Sequence, residues 1–355
     1  MSIRGRARAS VGAVTFGLAV AFVFLCGAVS AQQKPQAPKL DKDQLQEAQA
    51  LAGALAAAES GQAAPSDFTA AIESFCFFKT ADGQTYVPFT AALDQNALVS
   101  PSITFMLRAV AKGAKPQPSA ENGKKPALLP AAYEDLEFLT LRPEPASGAA
   151  AQPPTARVRR AFQVAGGDYD VYLALLDRNP ADKKKPKIAV YKQTMSVPDF
   201  NGTEMQTSSV VVSDRIEATK KVLTPQERRE NPYVIGPVEI NPKVGSEFAS
   251  TQELNVYFQI YNPALDAARK PDVLIEFGFV QKQPDGTEKK IANSEPQVWN
   301  ATTLAPEFDI TKHQLVGGSA WPLTRFKAGK YRVDIKITDK LSGKILTRTA
   351  DFSVS

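Results

Sequence analysis

From residue 67 to the end of the chain, short runs of apolar and polar residues alternate between clusters of Gly, Pro, Asn and Asp. Leu254, Val256, Phe258 and Ile260 fall on one face of such a run, and Asn255, Tyr257, Gln259 and Tyr261 on the other, because successive side chains of a strand point to opposite sides. Tyr331, Val333, Ile335 and Ile337 oppose Arg332, Asp334, Lys336 and Thr338 in the same way. One dry face and one wet face belong to an antiparallel sandwich, whereas strands of a parallel sheet covered on both sides are apolar throughout. The pattern predicts strands at 73–79, 84–90, 102–110, 133–141, 157–164, 168–177, 187–197 and 207–213. A second series follows at 233–240, 253–261, 272–282, 287–299, 306–311, 330–338 and 344–354. Asp and Gly at 82–83, 285–286 and 339–343 supply hairpin turns. The fold class is all-β.

One segment departs from this rhythm. Residues 41–60 are rich in helix formers, with Leu45, Ala48, Ala52 and Leu55 at three- and four-residue spacing. They predict one short Ala-rich helix inside a 32–66 linker, a spacer that packs weakly. Two stretches, 111–130 and 142–156, are rich in Pro, Ala and other weakly hydrophobic residues, and read as insertions between strands.

The stretch AGGDYDVYLALLDR at 165–178 returns as KAGKYRVDIKITDK at 327–340. Each contains Gly-x-Tyr-x-Val, a strand-length run, and an Asp that opens a turn before a last strand. Gly167, Tyr169 and Val171, and again Gly329, Tyr331 and Val333, resemble the tyrosine corner of immunoglobulin-like and fibronectin-III-like sandwiches, where a Tyr at the start of the penultimate strand bonds back to the preceding corner. The chain thus resembles two such antiparallel β-sandwich domains in tandem, as in exported bacterial proteins. The resemblance implies one domain at 67–215, a linker at 216–230 and a second domain at 231–355, and it brings no catalytic residues with it.

Arg4, Arg6 and Arg8 precede an apolar run from Val11 to Ser30, and Ala31 then opens a polar stretch. That order predicts a signal peptide, 1–31, cleaved after Ala31, and a periplasmic or extracellular destination. The alternative is an uncleaved helix anchored in the inner membrane, the only membrane contact expected. The segment holds three of the 42 Lys and Arg and none of the 37 Asp and Glu, so the remainder carries 39 − 37, or +2. So small an excess, without a basic patch, argues against a nucleic-acid partner. Cys76 is the one thiol left, which excludes an intramolecular disulfide; between Phe75 and Phe77 it reads as a small core residue.

Catalytic chemistry finds little footing. His313 is the sole histidine and reads as a solvated strand residue; no Cys-x-x-Cys pair, phosphate loop or EF-hand spacing is present. No catalytic residue, metal ligand or cofactor is expected. Glu134, Asp135, Glu137, Asp168 and Asp170 are the carboxylates that could converge. The candidate partner surface is Tyr257 with Tyr261, two rings on the wet face of one strand, joined by Trp299. The reading is a non-enzymatic exported interaction or scaffold protein that meets a protein or an envelope glycan. The alternatives are a carbohydrate-binding module using those aromatics, and a hydrolase with a carboxylate site.

Overall fold

The computed structural model describes residues 40–115, 128–141, 155–178 and 186–355. The signal segment, most of both insertions and the lysines at 183–185 lie outside the described residues.

The first sandwich contains β1 (Ala70–Phe75), β2 (Phe78–Lys79), β3 (Thr85–Asp94), β4 (Ser102–Ala111), β5 (Tyr133–Thr140), β6 (Thr155–Val164), β7 (Gly167–Asp177) and β8 (Ile188–Val197). In one sheet β3 lies between β6 and the pair β1 and β2; the other runs β5-β4-β7-β8. Phe89, Phe105, Phe162, Val171 and Leu173 fill the space between them.

The second sandwich is built from β9 (Gln206–Thr207), β10 (Val211–Ala218), β11 (Val234–Ile235), β12 (Val238–Pro242), β13 (Glu247–Phe248), β14 (Glu253–Tyr261), β15 (Val273–Lys282), β16 (Glu288–Asn293), β17 (Gln297–Trp299), β18 (Leu315–Pro322), β19 (Gly329–Asp339) and β20 (Ile345–Val354). Its first sheet runs β11-β12-β10-β14-β18 and its second β13-β20-β19-β15-β16. Phe258, Phe277, Ile275, Val333 and Ile335 are its core. In both sandwiches the long strands pair antiparallel and the penultimate strand sits inside the sheet between the last strand and an earlier one, which is the immunoglobulin-like layout.

The repeated stretch occupies matching places. Tyr169 Oη donates to the Ala165 carbonyl (3.0 Å) and Tyr331 Oη to that of Lys327 (2.8 Å), while Val171 and Val333 are fully buried. Gly167 and Gly329 have φ of 151° and 156°, where a side chain would be strained, and each tyrosine ring folds back over its glycine. The closing aspartates match too. Asp177 accepts the Val99 and Ser100 N–H groups (2.6 and 3.2 Å), and Asp339 accepts that of Ala264 (2.8 Å). Both are buried, and both pin the loop that joins the second and third long strands of their sandwich.

Several expectations are corrected. The helix α1 (Lys42–Glu59), capped by Asp41 and Gln44, does not pack weakly. Its inward stripe runs Glu47, Leu51, Leu55 and Glu59, four residues apart, with Leu51 and Leu55 buried beside Ala54, while Leu45 faces solvent. Leu51 and Leu55 cover Met106, Val110, Tyr172, Ala174 and Leu176 on the outside of the β4-β7 sheet. Glu47 accepts from Thr104 Oγ1 (2.6 Å) and Arg178 Nε (3.0 Å); Glu59 pairs with the buried Arg108 and accepts the Leu129 N–H (2.7 Å).

Strand β10 pairs with β14, so residues 211–218 belong to the second sandwich, and 216–230 is not the linker. The crossing is made by residues 198–205. Residues 219–232 instead form a strap, with a short helix α2 (Pro225–Glu230), that runs back to β6. The predicted strand 306–311 is a series of turns in which Asp309 accepts from Thr311, and His313 is a half-buried turn residue whose Nδ1 accepts the Asp309 N–H (2.9 Å). Strand β18, which holds Gly317 and Gly318, is absent from the predicted series. A Cβ at Gly317 would lie 2.3 Å from the Phe258 ring, so the glycine is there for close approach.

Candidate functional site

The wet face of β14 is where the sequence places a recognition surface. The structure puts that face against the first sandwich. Tyr257 and Tyr261 are 6% and 3% exposed, so they offer no ledge to a ligand. Trp299 does not join them. It packs on the second core, its indole N–H buried without a hydrogen-bond partner among the described residues.

What gathers around the two tyrosines is a junction built from both domains. Tyr261 Oη donates to Gln259 Oε1 (2.8 Å) and accepts the Lys79 N–H of β2 (3.0 Å); Gln259 Nε2 donates to Tyr257 Oη (3.0 Å). Ser209 exchanges two bonds with Phe77. Its N–H donates to the Phe77 carbonyl (3.1 Å) and its hydroxyl accepts the Phe77 N–H (2.9 Å). Phe78 lies beside Tyr257 and Phe200 against Tyr261, with ring centres 6.4 and 4.7 Å apart. Cys76, Phe78, Val211, Tyr233, Ile240 and Tyr257 close the apolar part.

The crossing segment is held from both sides. The Phe200 carbonyl accepts from Lys79 Nζ (2.9 Å) in the first domain and from Asn262 Nδ2 (3.1 Å) in the second; the Pro198 carbonyl accepts from Thr85 Oγ1 (2.7 Å). The strap adds a second attachment, since Tyr86 Oη donates to the Pro232 carbonyl (2.9 Å) and Thr90 Oγ1 bonds Tyr233 Oη (3.2 Å).

Burial decides the electrostatics. It pushes the phenols of Tyr233 and Tyr257 up to about 12 and those of Tyr86 and Tyr261 upward. The Cys76 thiol is likewise raised to about 12, so it stays protonated and is a poor nucleophile. The phenols and the thiol at the junction stay protonated, and hydrogen bonds carry the polar part of the contact.

The carboxylates do not converge either. Glu134 pairs with Arg108 (2.7 Å) and Glu137 with Arg160 (2.8 Å), Asp135 sits beside Tyr133, and Asp168 accepts from Ser196 Oγ (2.6 Å). Asp170 is paired with Lys192 (2.8 Å). Burial works against its ionisation, but the Lys192 ammonium and the Thr194 hydroxyl outweigh it and hold the pKa low. Among the described residues no group of three or more His, Cys, Asp and Glu is placed to hold a metal ion.

Sequence reasoning missed Gln259, Ser209, Tyr86 and Tyr233, all of which tie the domains together. One signal was present: two large rings and an amide on the supposedly wet side of β14 are what a covered face carries.

No protein-family model matches the chain, and no curated protein does. Among solved structures it is similar to an immunoglobulin-like protein from Pseudomonas aeruginosa, with 14% identity over 41% of this chain and 97% of that one and a TM-score of 0.20. It is also similar to Salmonella alpha-2-macroglobulin reacted with methylamine, with 12% identity, 82% of this chain, 17% of that one and a TM-score of 0.21. The assignment of two immunoglobulin-like sandwiches rests on the strand pairing. Among the described residues no helix is long and apolar enough to cross a membrane.

Proposed function

We propose that the chain is an exported, non-enzymatic interaction or scaffold protein of a bacterial envelope, in which the two immunoglobulin-like domains work as one rigid body. The observation that carries this reading is the junction. Bonds from Phe77, Lys79, Tyr86 and Thr90 to the second domain, and a crossing segment tied to both, leave the pair little freedom to hinge. Loosely joined domains turn freely about a polar linker; domains fixed in this way present their remaining surfaces at a constant separation and angle, as a scaffold requires. Export is supported by the order of charge, apolar run and small residues at 1–31.

The test is photo-crosslinking in living cells from an exposed position, such as a photoreactive residue at Lys336, followed by fractionation. Discrete adducts in the envelope fraction, with an N-terminus beginning at Gln32, are expected. Protein that stays in the cytoplasm, or that yields no adduct from any exposed face, refutes the reading.

A further inference from the structure

Between the strap and the first sandwich lies an open cleft of about 440 Å³, bordered by the junction residue Tyr86. Its walls include Tyr86, Tyr133 and Phe162 on the domain side, and Leu223, Arg228 and Arg229 on the strap. Ala161, Phe162 and Gln163 all line it, although they are consecutive residues of β6. Side chains of neighbouring strand residues point to opposite faces, so a cavity touching three in a row faces the edge of the strand.

Among the described residues that edge carries no further strand: β6 pairs with β3 alone, and Ala161 stands opposite Pro88. The Pro88 carbonyl accepts the Cys76 N–H (3.0 Å), so Pro88 turns its backbone away from β6. In an antiparallel ladder the opposite residue then turns its own N–H and C=O outward, and so does the next residue but one. Ala161 and Gln163 therefore aim unpaired backbone groups into the cleft. Neither has a backbone partner outside the β3–β6 ladder among the described residues.

We propose that this cleft binds a short, extended, acidic peptide segment of a partner protein, added to β6 as one more strand. Deepening the interaction reading above, and resting on it, this names the surface and the chemistry of the partner. Backbone groups of Ala161 and Gln163 supply the ladder, the standard mode of strand addition. Side chains on one face of the peptide meet Tyr133, which packs over the buried Phe162, while Tyr86 lies with Gln163 on the opposite face of the sheet. Carboxylates on the other face meet the guanidinium groups of Arg228 and Arg229, both exposed, the second 4.0 Å from Asp135. A uronate-bearing glycan would also suit rings and arginines, but it cannot use a row of strand amides.

The probe is fluorescein-labelled Thr-Glu-Val-Glu-Val-Thr, titrated into the full chain by fluorescence anisotropy. Binding that weakens with salt is expected. N-methylation of alternate amides should abolish it in one register and spare it in the other. Arg228→Glu combined with Arg229→Glu should weaken it by at least about tenfold, as like charges in a contact do. Ala161→Pro, which removes an outward N–H tolerated on a strand edge, should weaken binding at an unchanged melting temperature, and it serves if the charge reversal disturbs the fold. The proposal falls if the peptide does not bind at millimolar concentration, if both methylation registers act alike, or if trigalacturonate binds in its place. Crosslinking from Gln163 and from Lys336 in cells separates the two readings. Adducts from Lys336 alone remove the cleft and leave the scaffold, whereas adducts from neither position remove both.

Discussion

The sheets β5-β4-β7-β8 and β16-β15-β19-β20 hold the same place in their sandwiches, yet their outer faces are finished in opposite ways. The first is apolar, with Met106, Val110, Tyr172, Ala174 and Leu176 lying under helix α1. The second carries a lattice of charges: Lys336 with Glu276 (2.9 Å), Arg332 with Glu288 and Asp334 (2.6 and 2.5 Å), and Lys282 with Asp351 (2.7 Å). Water covers the charged face; the apolar face needs protein. The difference is written in the penultimate strands. Residues 171–176 of β7 are VYLALL, apolar on both sides, whereas 331–336 of β19 are YRVDIK. A strand that loses its alternation is a strand covered twice, and the outer face of β14, lying against the first domain, follows the same rule.

Removing one partner of an ion pair should separate the two faces most sharply. Arg108 and Glu59 are 3% and 2% exposed. Arg108→Ala leaves Glu59 as a buried unpaired charge, so chemical denaturation should show a loss of ~3–5 kcal/mol, while the joint change to Met and Leu should be near neutral. Equal losses for the single and double variants would show that the pair contributes more than compensation for its own burial.

Leu55→Ala, in the middle of the same helix, should cost ~2–4 kcal/mol by opening a cavity against Tyr172 and its neighbours. A loss below ~1 kcal/mol would return α1 to the role of a loosely packed spacer.

The second covered face, at the domain junction, should respond to alkali. Tyr233 and Tyr257 titrate at about 12 when folded, against ~10 when unfolded. The folded chain holds these protons longer, so their contribution is complete below pH ~10 and is lost as pH rises towards 12. Melting temperature should fall across that window, and Tyr233→Phe with Tyr257→Phe should flatten the fall. An unchanged slope in the double variant would place the alkaline transition elsewhere.

Matched corners should give matched, smaller effects. Tyr169→Phe removes the bond to the corner carbonyl, Tyr331→Phe removes its counterpart and a longer bond accepted from Gln281 Nε2 (3.3 Å), and each should cost ~1 kcal/mol. The smallest change is expected on the bare face, where Lys336→Ala breaks a solvent-exposed pair worth less than ~0.5 kcal/mol in denaturant titrations.

Much of the fold was legible because alternation and turn chemistry are local. The repeated Gly-x-Tyr-x-Val marked two strands that do open at equivalent points, and residues 254–260 and 331–337 divided their faces between core and surroundings. The candidate site was legible only in part. Tyr257 and Tyr261 stood out as rings on one face, but a pattern of residues records that a face is unusual, not what lies against it. The charged, proline-flanked stretch 216–230 had the composition of a linker; composition cannot reveal that β10 pairs with β14, or that Pro232 is bound by Tyr86. Gly317 and Gly318 interrupt the alternation of β18, and the sequence does not show that the first makes room for the Phe258 ring and the second for the Val256 carbonyl.

By itself the sequence determined that the chain is all-β, which residues alternate, and where the two penultimate strands begin, since these follow from interactions within a few residues along the backbone. Only the tertiary structure decided which outer faces are covered and by what: α1 on the first domain, the first domain on β14, water on β15 and β19. Cover is a contact between segments far apart in the chain, and the side chain that makes it is selected by a neighbour that the local pattern does not contain.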